Sequence, residues 1–189
     1  MNRLEREFLW PASVIAIAIV APAPSVFAAT YLTVQAAQRA MFPTADGFVE
    51  LPLALTAEQL ASINAAAGEQ APHGELRAWT VRRGGAVIGH VFVDNVVGRE
   101  DYITYAVGVD VNGALTPVEI LDYRESHGGE IRNRRWLAQF AGRATQARLG
   151  FRTDIKNIAG ATMSSEHVTN GVRRLLALWQ QVVRPAEGR

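Results

Sequence analysis

Near its C-terminal end the chain reads Ile158-Ala159-Gly160-Ala161-Thr162-Met163-Ser164-Ser165, a glycine and three hydroxyls placed directly before an amphipathic run. Val168, Val172, Leu175, Leu176, Trp179, Val182 and Val183 recur at i, i+4, i+7 and i+8, the stripe of a helix that buries one face. Ser164 or Ser165 is the expected N-cap of that helix, with Glu166 in its first turn. Unpaired backbone N–H groups and the helix dipole converge at such a start, so the chemistry these residues suit is phosphate binding. The plain alternative is a capped helix and nothing more.

A second cluster, Tyr123-Arg124-Glu125-Ser126-His127-Gly128-Gly129-Glu130, falls where a strand is expected to end. Its glycines allow close backbone approach to a ligand, and Glu125, Ser126 and His127 bring polar contacts. Read alone, it is more often a solvated surface turn. The four histidines, His73, His90, His127 and His167, have no metal-ligand spacing. His90 lies inside an expected strand and reads as structural, which leaves His127 as the one near a site. No Gly-x-Ser-x-Gly elbow, phosphate-binding Gly-x-x-x-x-Gly-Lys-Ser loop or dinucleotide fingerprint occurs.

The elements that must position these loops are legible in part. Residues 31–42 read as a short helix closed by Pro43, and Phe48 to Leu55 as a strand. A helix opens at Thr56-Ala57-Glu58-Gln59 and stops at Gly68. Leu76 to Arg83 and Ala86 to Asn95 form a hairpin across Gly84-Gly85. Asp101 to Val111 and Ala114 to Arg124 form another across Asn112-Gly113, expected as a type I′ turn. Trp79, Val81, Val87, Ile88, Val91 and Val93 are the candidate buried face. A helix is expected over Asn133 to Gly142, with Trp136 and Phe140 packing four residues apart. The fold class is therefore α+β, an antiparallel β-meander packed with N-terminal and C-terminal helices.

At 189 residues, 49% hydrophobic and 20% charged, the chain can bury a real core. A net charge of +1, with a single lysine (Lys156) among 19 basic residues and no long basic run, gives no case for nucleic acid. The absence of cysteine excludes disulfides, Cys-ligated iron–sulfur clusters and Cys-attached haem. Residues 1–28 read as a secretory signal: Arg3 and Arg6 precede the apolar stretch Val14 to Ala21, and Val26-Phe27-Ala28 precedes a cut ahead of Ala29. The expected location is periplasmic or otherwise extracytoplasmic, with membrane anchoring if the signal is retained.

The Gly-Ala-Thr-x-Ser signature before a terminal helix, preceded by a meander and a Glu-Ser-x-Gly loop, resembles the FMN-binding domain. That domain occurs in flavin-carrying subunits of sodium-pumping NADH:quinone reductases, in related ion-pumping complexes and in exported electron carriers. The resemblance covers about residues 75–183 and gives the organisation 1–28 signal, 29–74 N-terminal helical leader, 75–185 FMN-binding domain. It implies an electron-transfer protein serving membrane or soluble redox partners. FMN would be held by phosphoester on Thr162, attached by a magnesium-dependent FAD:protein FMN transferase. It further implies that Gly160, Ala161, Ser164 and Ser165 surround the phosphate, and that Glu125, Ser126, Gly128 and Gly129 border the isoalloxazine. Two positions depart from the family pattern. Ala159 stands where Ser or Thr is usual, and Lys156 stands where Asp is usual, with Asp154 two residues earlier. The alternatives are a flavin-dependent reductase of a small extracytoplasmic substrate, with His127 as its acid, and a flavin-free binding module of the same fold.

Overall fold

A computed structural model describes residues 29–30, 32–67, 76–125, 127–144 and 149–187. The signal assigned to residues 1–28, the helix stop at Gly68 and the site residue Ser126 lie outside them. The sheet strands are β1 (Ala29–Thr30), β2 (Gly47–Glu50), β3 (Arg77–Arg83), β4 (Ala86–Val97), β5 (Tyr102–Asp110) and β6 (Glu119–Tyr123). They pair antiparallel in the order β1-β6-β5-β4-β3-β2, a meander from β2 to β6 with β1 added at one edge. Helices α1 (Val34–Met41), α2 (Ala57–Ala67), α3 (Arg134–Leu137), α4 (Thr162–Leu178) and α5 (Arg184–Glu187) complete the fold, which is α+β as expected.

Alternation along the strands sends successive side chains to opposite faces, and both faces are covered. Trp79, Val81, Val91, Val93, Ala106 and Leu121 pack with Ala37, Met41 and Phe42 of the α1 segment. The intervening Ala78, Phe92, Val96, Ile103, Tyr105, Val107 and Val109 form the larger core with α2 and α4. The expected buried face was thus the smaller of two, and Val87 and Ile88 are only half-buried. Phe42 lies against a glycine floor: a Cβ at Gly89 or Gly108 would come within 2.7 or 2.9 Å of its ring.

Local chemistry explains most element ends. Thr56 and Gln59 form a reciprocal capping box at α2, with Gln59 N donating to Thr56 Oγ1 at 3.1 Å and Thr56 N to Gln59 Oε1 at 2.9 Å. Gly84 and Gly85 both take positive φ, 57° and 82°, as the β3–β4 hairpin requires. The β5 turn differs from the type I′ expectation, because Gly113 has φ 87° while Asn112 does not have positive φ. Gly113 N donates to Asp110 O at 3.0 Å, and the Asp110 carboxylate accepts from Asn112 N and Ala114 N, both at 2.8 Å. An aspartate that ties the loop to itself favours a type I turn with glycine in the left-handed position.

Three further elements are shorter than expected. β2 ends at Glu50; Leu51, Leu53 and Leu55 keep alternating into the larger core, but Pro52 has no N–H to continue a ladder. β6 begins only at Glu119, after a single bridge between Val109 and Leu115. The α-helical part of 133–142 is four residues, capped by Asn133 and followed by i→i+3 turns to Arg143. Trp136 and Phe140 nevertheless meet edge to face at 5.2 Å, both buried.

Deep under α4, three polar side chains cluster. The Tyr105 hydroxyl donates to Asp94 Oδ2 at 2.8 Å, and the Arg174 guanidinium pairs with the same oxygen. All three residues are buried. Gly171 makes room for the phenol, since a Cβ there would fall 2.2 Å from Tyr105 Oη. His90, also fully buried, accepts from Trp179 Nε1 at 3.1 Å and is the structural histidine expected.

Candidate functional site

The start of α4 is built from the Gly160 turn. Gly160 takes φ 87° in open space, and Ala161 N closes the turn onto Ile158 O at 3.1 Å. The helix then begins at Thr162, earlier than expected, with Ala161 at the N-cap and no side-chain cap. Ser164 and Ser165 are therefore inside the first turn and are not caps, and Glu166 lies beyond that turn. Ala161 has no side-chain oxygen to offer, so the first helical N–H groups are left to another acceptor. Ser165 is buried and donates its hydroxyl to Thr162 O at 2.9 Å.

Thr162 is half-buried, and its hydroxyl is loosely held. Asn157 Nδ2 lies 3.4 Å from Oγ1, and Ile158 O lies 3.5 Å away, both at the long limit of a hydrogen bond.

The 123–130 loop meets this helix start through Gly128. Its φ is 84°, and an added Cβ would sit 2.5 Å from Tyr123 Oη and 3.4 Å from Ala161 Cβ. The Tyr123 hydroxyl donates to His127 O, with Glu125 Oε2 3.4 Å away. Burial pushes the Tyr123 phenol up; a hydrogen bond from Ser164 opposes this, and the Glu125 carboxylate adds to it. Ser164 thus links the helix start to the loop.

Glu125 itself reaches the β4–β5 connection. Its Oε1 accepts from the backbone N–H of Arg99, from Glu100 at 3.0 Å and from Asp101 at 3.4 Å. Gly98 lies beneath it, where any Cβ would collide with the carboxylate. Glu125 therefore fixes a neighbouring loop as well as bordering the site.

These pieces enclose a cavity of about 270 Å3 lined by Arg99, Glu125, His127, Gly128, Gly160, Ala161, Thr162, Met163 and Ser164. Of the residues expected from the sequence, Thr162, Gly160, Ala161, Ser164, Glu125 and Gly128 come together there. Ser165 is packed beneath the helix start, and Gly129 opens the 3-10 turn Gly129–Arg132 outside the lining. Arg99 and Met163 were not foreseen. Arg99 sits in a four-residue hairpin connection that only folding brings to the helix. Met163, exposed beside Thr162, carried no chemical signal.

Residues 98–177 match the family of FMN-binding domains. This stretch is similar to FMN-binding domains. The match supports FMN as the cofactor and spans both loops of the cavity, from Gly98 under Glu125 to α4. It is narrower than the 75–183 expected, so β3 and β4 fall before it. No curated protein matches the chain.

Lys156 and Ala159, the departures from the expected pattern, lie on the far side of the segment leading to Thr162. Asp154 Oδ2 accepts from Gly150 N at 2.8 Å and from the Thr153 hydroxyl at 3.3 Å, which closes the 150–155 turn. Asp154, Lys156 and Ala159 line a different cavity from the one at Thr162. Among the described residues, no cluster of His, Asp or Glu is suited to a metal ion.

Proposed function

We propose that the chain is an exported electron-transfer protein that carries FMN through a phosphoester on Thr162. The observation that carries this reading is a threonine hydroxyl at the wall of a cavity, on a helix start with no side-chain cap, within a stretch similar to FMN-binding domains. The phosphate would take the first-turn N–H groups that Ala161 leaves without a cap. The helix dipole there contributes about 0.3–1 kcal/mol to an anion. Arg99 supplies a positive side chain to the same cavity, and the open space around Gly160 leaves the phosphate room. At about 270 Å3 the cavity is below the roughly 300–1,000 Å3 usual for ligand sites. A cavity of that size would hold part of FMN, with Met163 and His127 among its lining residues.

Attachment balances as a transfer from FAD. The Thr162 oxygen forms a bond to the FMN phosphorus, the pyrophosphate bond to AMP breaks, and the hydroxyl proton leaves with the transferase's base. Bound FMN supplies reversible electron uptake; the protein supplies orientation and burial. A covalent link also frees occupancy from the concentration of free flavin, which would otherwise set it by mass action. The secretory signal expected at residues 1–28 supports a location outside the cytoplasm, with membrane or soluble redox partners.

Co-expression with an FAD:protein FMN transferase tests the reading. The expected product is a yellow protein whose colour stays with the chain through denaturation, and Thr162→Ala yields a colourless chain under the same treatment. Colour lost on denaturation of the wild type removes the covalent link. Colour retained by Thr162→Ala removes Thr162 as its point. A reductase with His127 as acid predicts turnover of a small acceptor that His127→Ala abolishes. A carrier predicts that electron exchange survives that change.

A further inference from the structure

A larger cavity lies outside this site. It measures about 680 Å3, between α3 and the 154–159 segment. Its two walls are joined by hydrogen bonds: Trp136 Nε1 donates to Lys156 O at 2.6 Å, and Lys156 N donates to Gln139 Oε1 at 3.0 Å. Arg143 is fixed in the lining, donating to Gln139 O at 2.7 Å and to Asp154 O at 2.9 Å. Arg135 and Lys156 are exposed and come from separate elements, α3 and the segment leading to Thr162. Against these three cations the described residues of the lining include one carboxylate, Asp154, whose Oδ2 is already engaged by Gly150 N and the Thr153 hydroxyl.

A cavity with two surplus positive charges and guanidinium and ammonium donors suits an anion of two charges. Trp136, only 5% exposed, supplies the apolar part of the lining together with Ile158 and Ala159. Asn157 lines the cavity and also donates to Thr162 Oγ1 at 3.4 Å, so an occupant would sit one side chain from the attachment residue. We propose that this cavity binds a small organic dianion, a phosphate monoester or a dicarboxylate, through Arg135, Arg143 and Lys156.

Isothermal titration calorimetry on the purified full-length chain, at constant ionic strength set with sodium chloride, tests this. The probes are glycerol phosphate, succinate and acetate. At least one dianion binds saturably and at least tenfold more tightly than acetate, and the one that binds identifies the class. Arg135→Gln with Lys156→Gln weakens that binding at least tenfold. Arg39→Gln with Arg83→Gln removes the same charge from α1 and β3, elsewhere on the molecule, and leaves binding unchanged. Both double variants change exposed side chains and melt within a few degrees of wild type. Failure of both dianions to bind overturns the proposal. So does equal binding by the first double variant, or equal weakening by the second. Flavin content does not enter the readout, so this result and that of the Thr162 experiment stand or fall separately.

Discussion

Substituting Gly128 by alanine tests how the site is held together. Gly128 has φ 84°, and an added Cβ would lie 2.5 Å from Tyr123 Oη. The left-handed conformation costs a residue with a Cβ about 1–2 kcal/mol. Relieving the collision moves the phenol away from His127 O, a hydrogen bond worth about 0.5–1.5 kcal/mol. Gly128→Ala is therefore destabilising by about 2–3 kcal/mol. Tyr123→Phe alone loses the same hydrogen bond and costs about 1 kcal/mol, but it also removes the atom that the new Cβ would strike. The two changes overlap, so the double variant costs about 1 kcal/mol less than the sum of the singles. Urea denaturation with linear extrapolation measures all four chains. A Gly128→Ala chain within about 0.5 kcal/mol of wild type, or strict additivity in the cycle, refutes the steric argument for this loop.

Two other outcomes follow from the polar cluster under α4. Arg174→Met leaves the Asp94 carboxylate buried without its cation and costs about 3–5 kcal/mol. Replacing Asp94 by leucine in the same chain recovers part of that loss, which urea denaturation of both chains would show. Burial pushes the Tyr105 phenol far above its ordinary pKa of 10.0, so the folded chain keeps a proton that the unfolded chain gives up. This contribution is whole below about pH 10 and is lost above it, by up to about 1.4 kcal/mol per pH unit. Tyr105→Phe makes the alkaline arm of a stability-against-pH curve shallower, as melting scans in that range would record.

Side-chain alternation and paired glycines carried most of the fold into view from sequence. Gly84-Gly85 marked the central hairpin, and the C-terminal stripe is buried at Val168, Val172, Leu175, Leu176, Trp179 and Val183, with Val182 half-buried. The errors fell where tertiary contacts overrule local preference. Ser164 and Ser165 look like caps, yet the Gly160 turn starts the helix at Thr162 and carries both serines into its first turn. Asn112-Gly113 looks like a type I′ turn, but Asp110 captures the loop amides. The site was legible where it depended on a contiguous signature, Gly160 to Ser164. Arg99 was not, because it reaches the cavity only through the register of β4 with β5 and through Glu125 binding the amides of their connection. The second, basic cavity was invisible for the same reason: Arg135, Arg143 and Lys156 are spread over 22 residues and converge only through the α3 turns and the 150–155 loop.

The proposal stands or falls on whether Thr162 bears FMN. Intact-mass measurement of the chain after exposure to transferase, FAD and magnesium tests it most directly, followed by mapping of the peptide that contains Gly160 to Ser164. The expected result is a gain of one FMN less one water, located on Thr162 and absent from Thr162→Ala. An unshifted mass, or a gain located on Ser164 or Ser165, contradicts it.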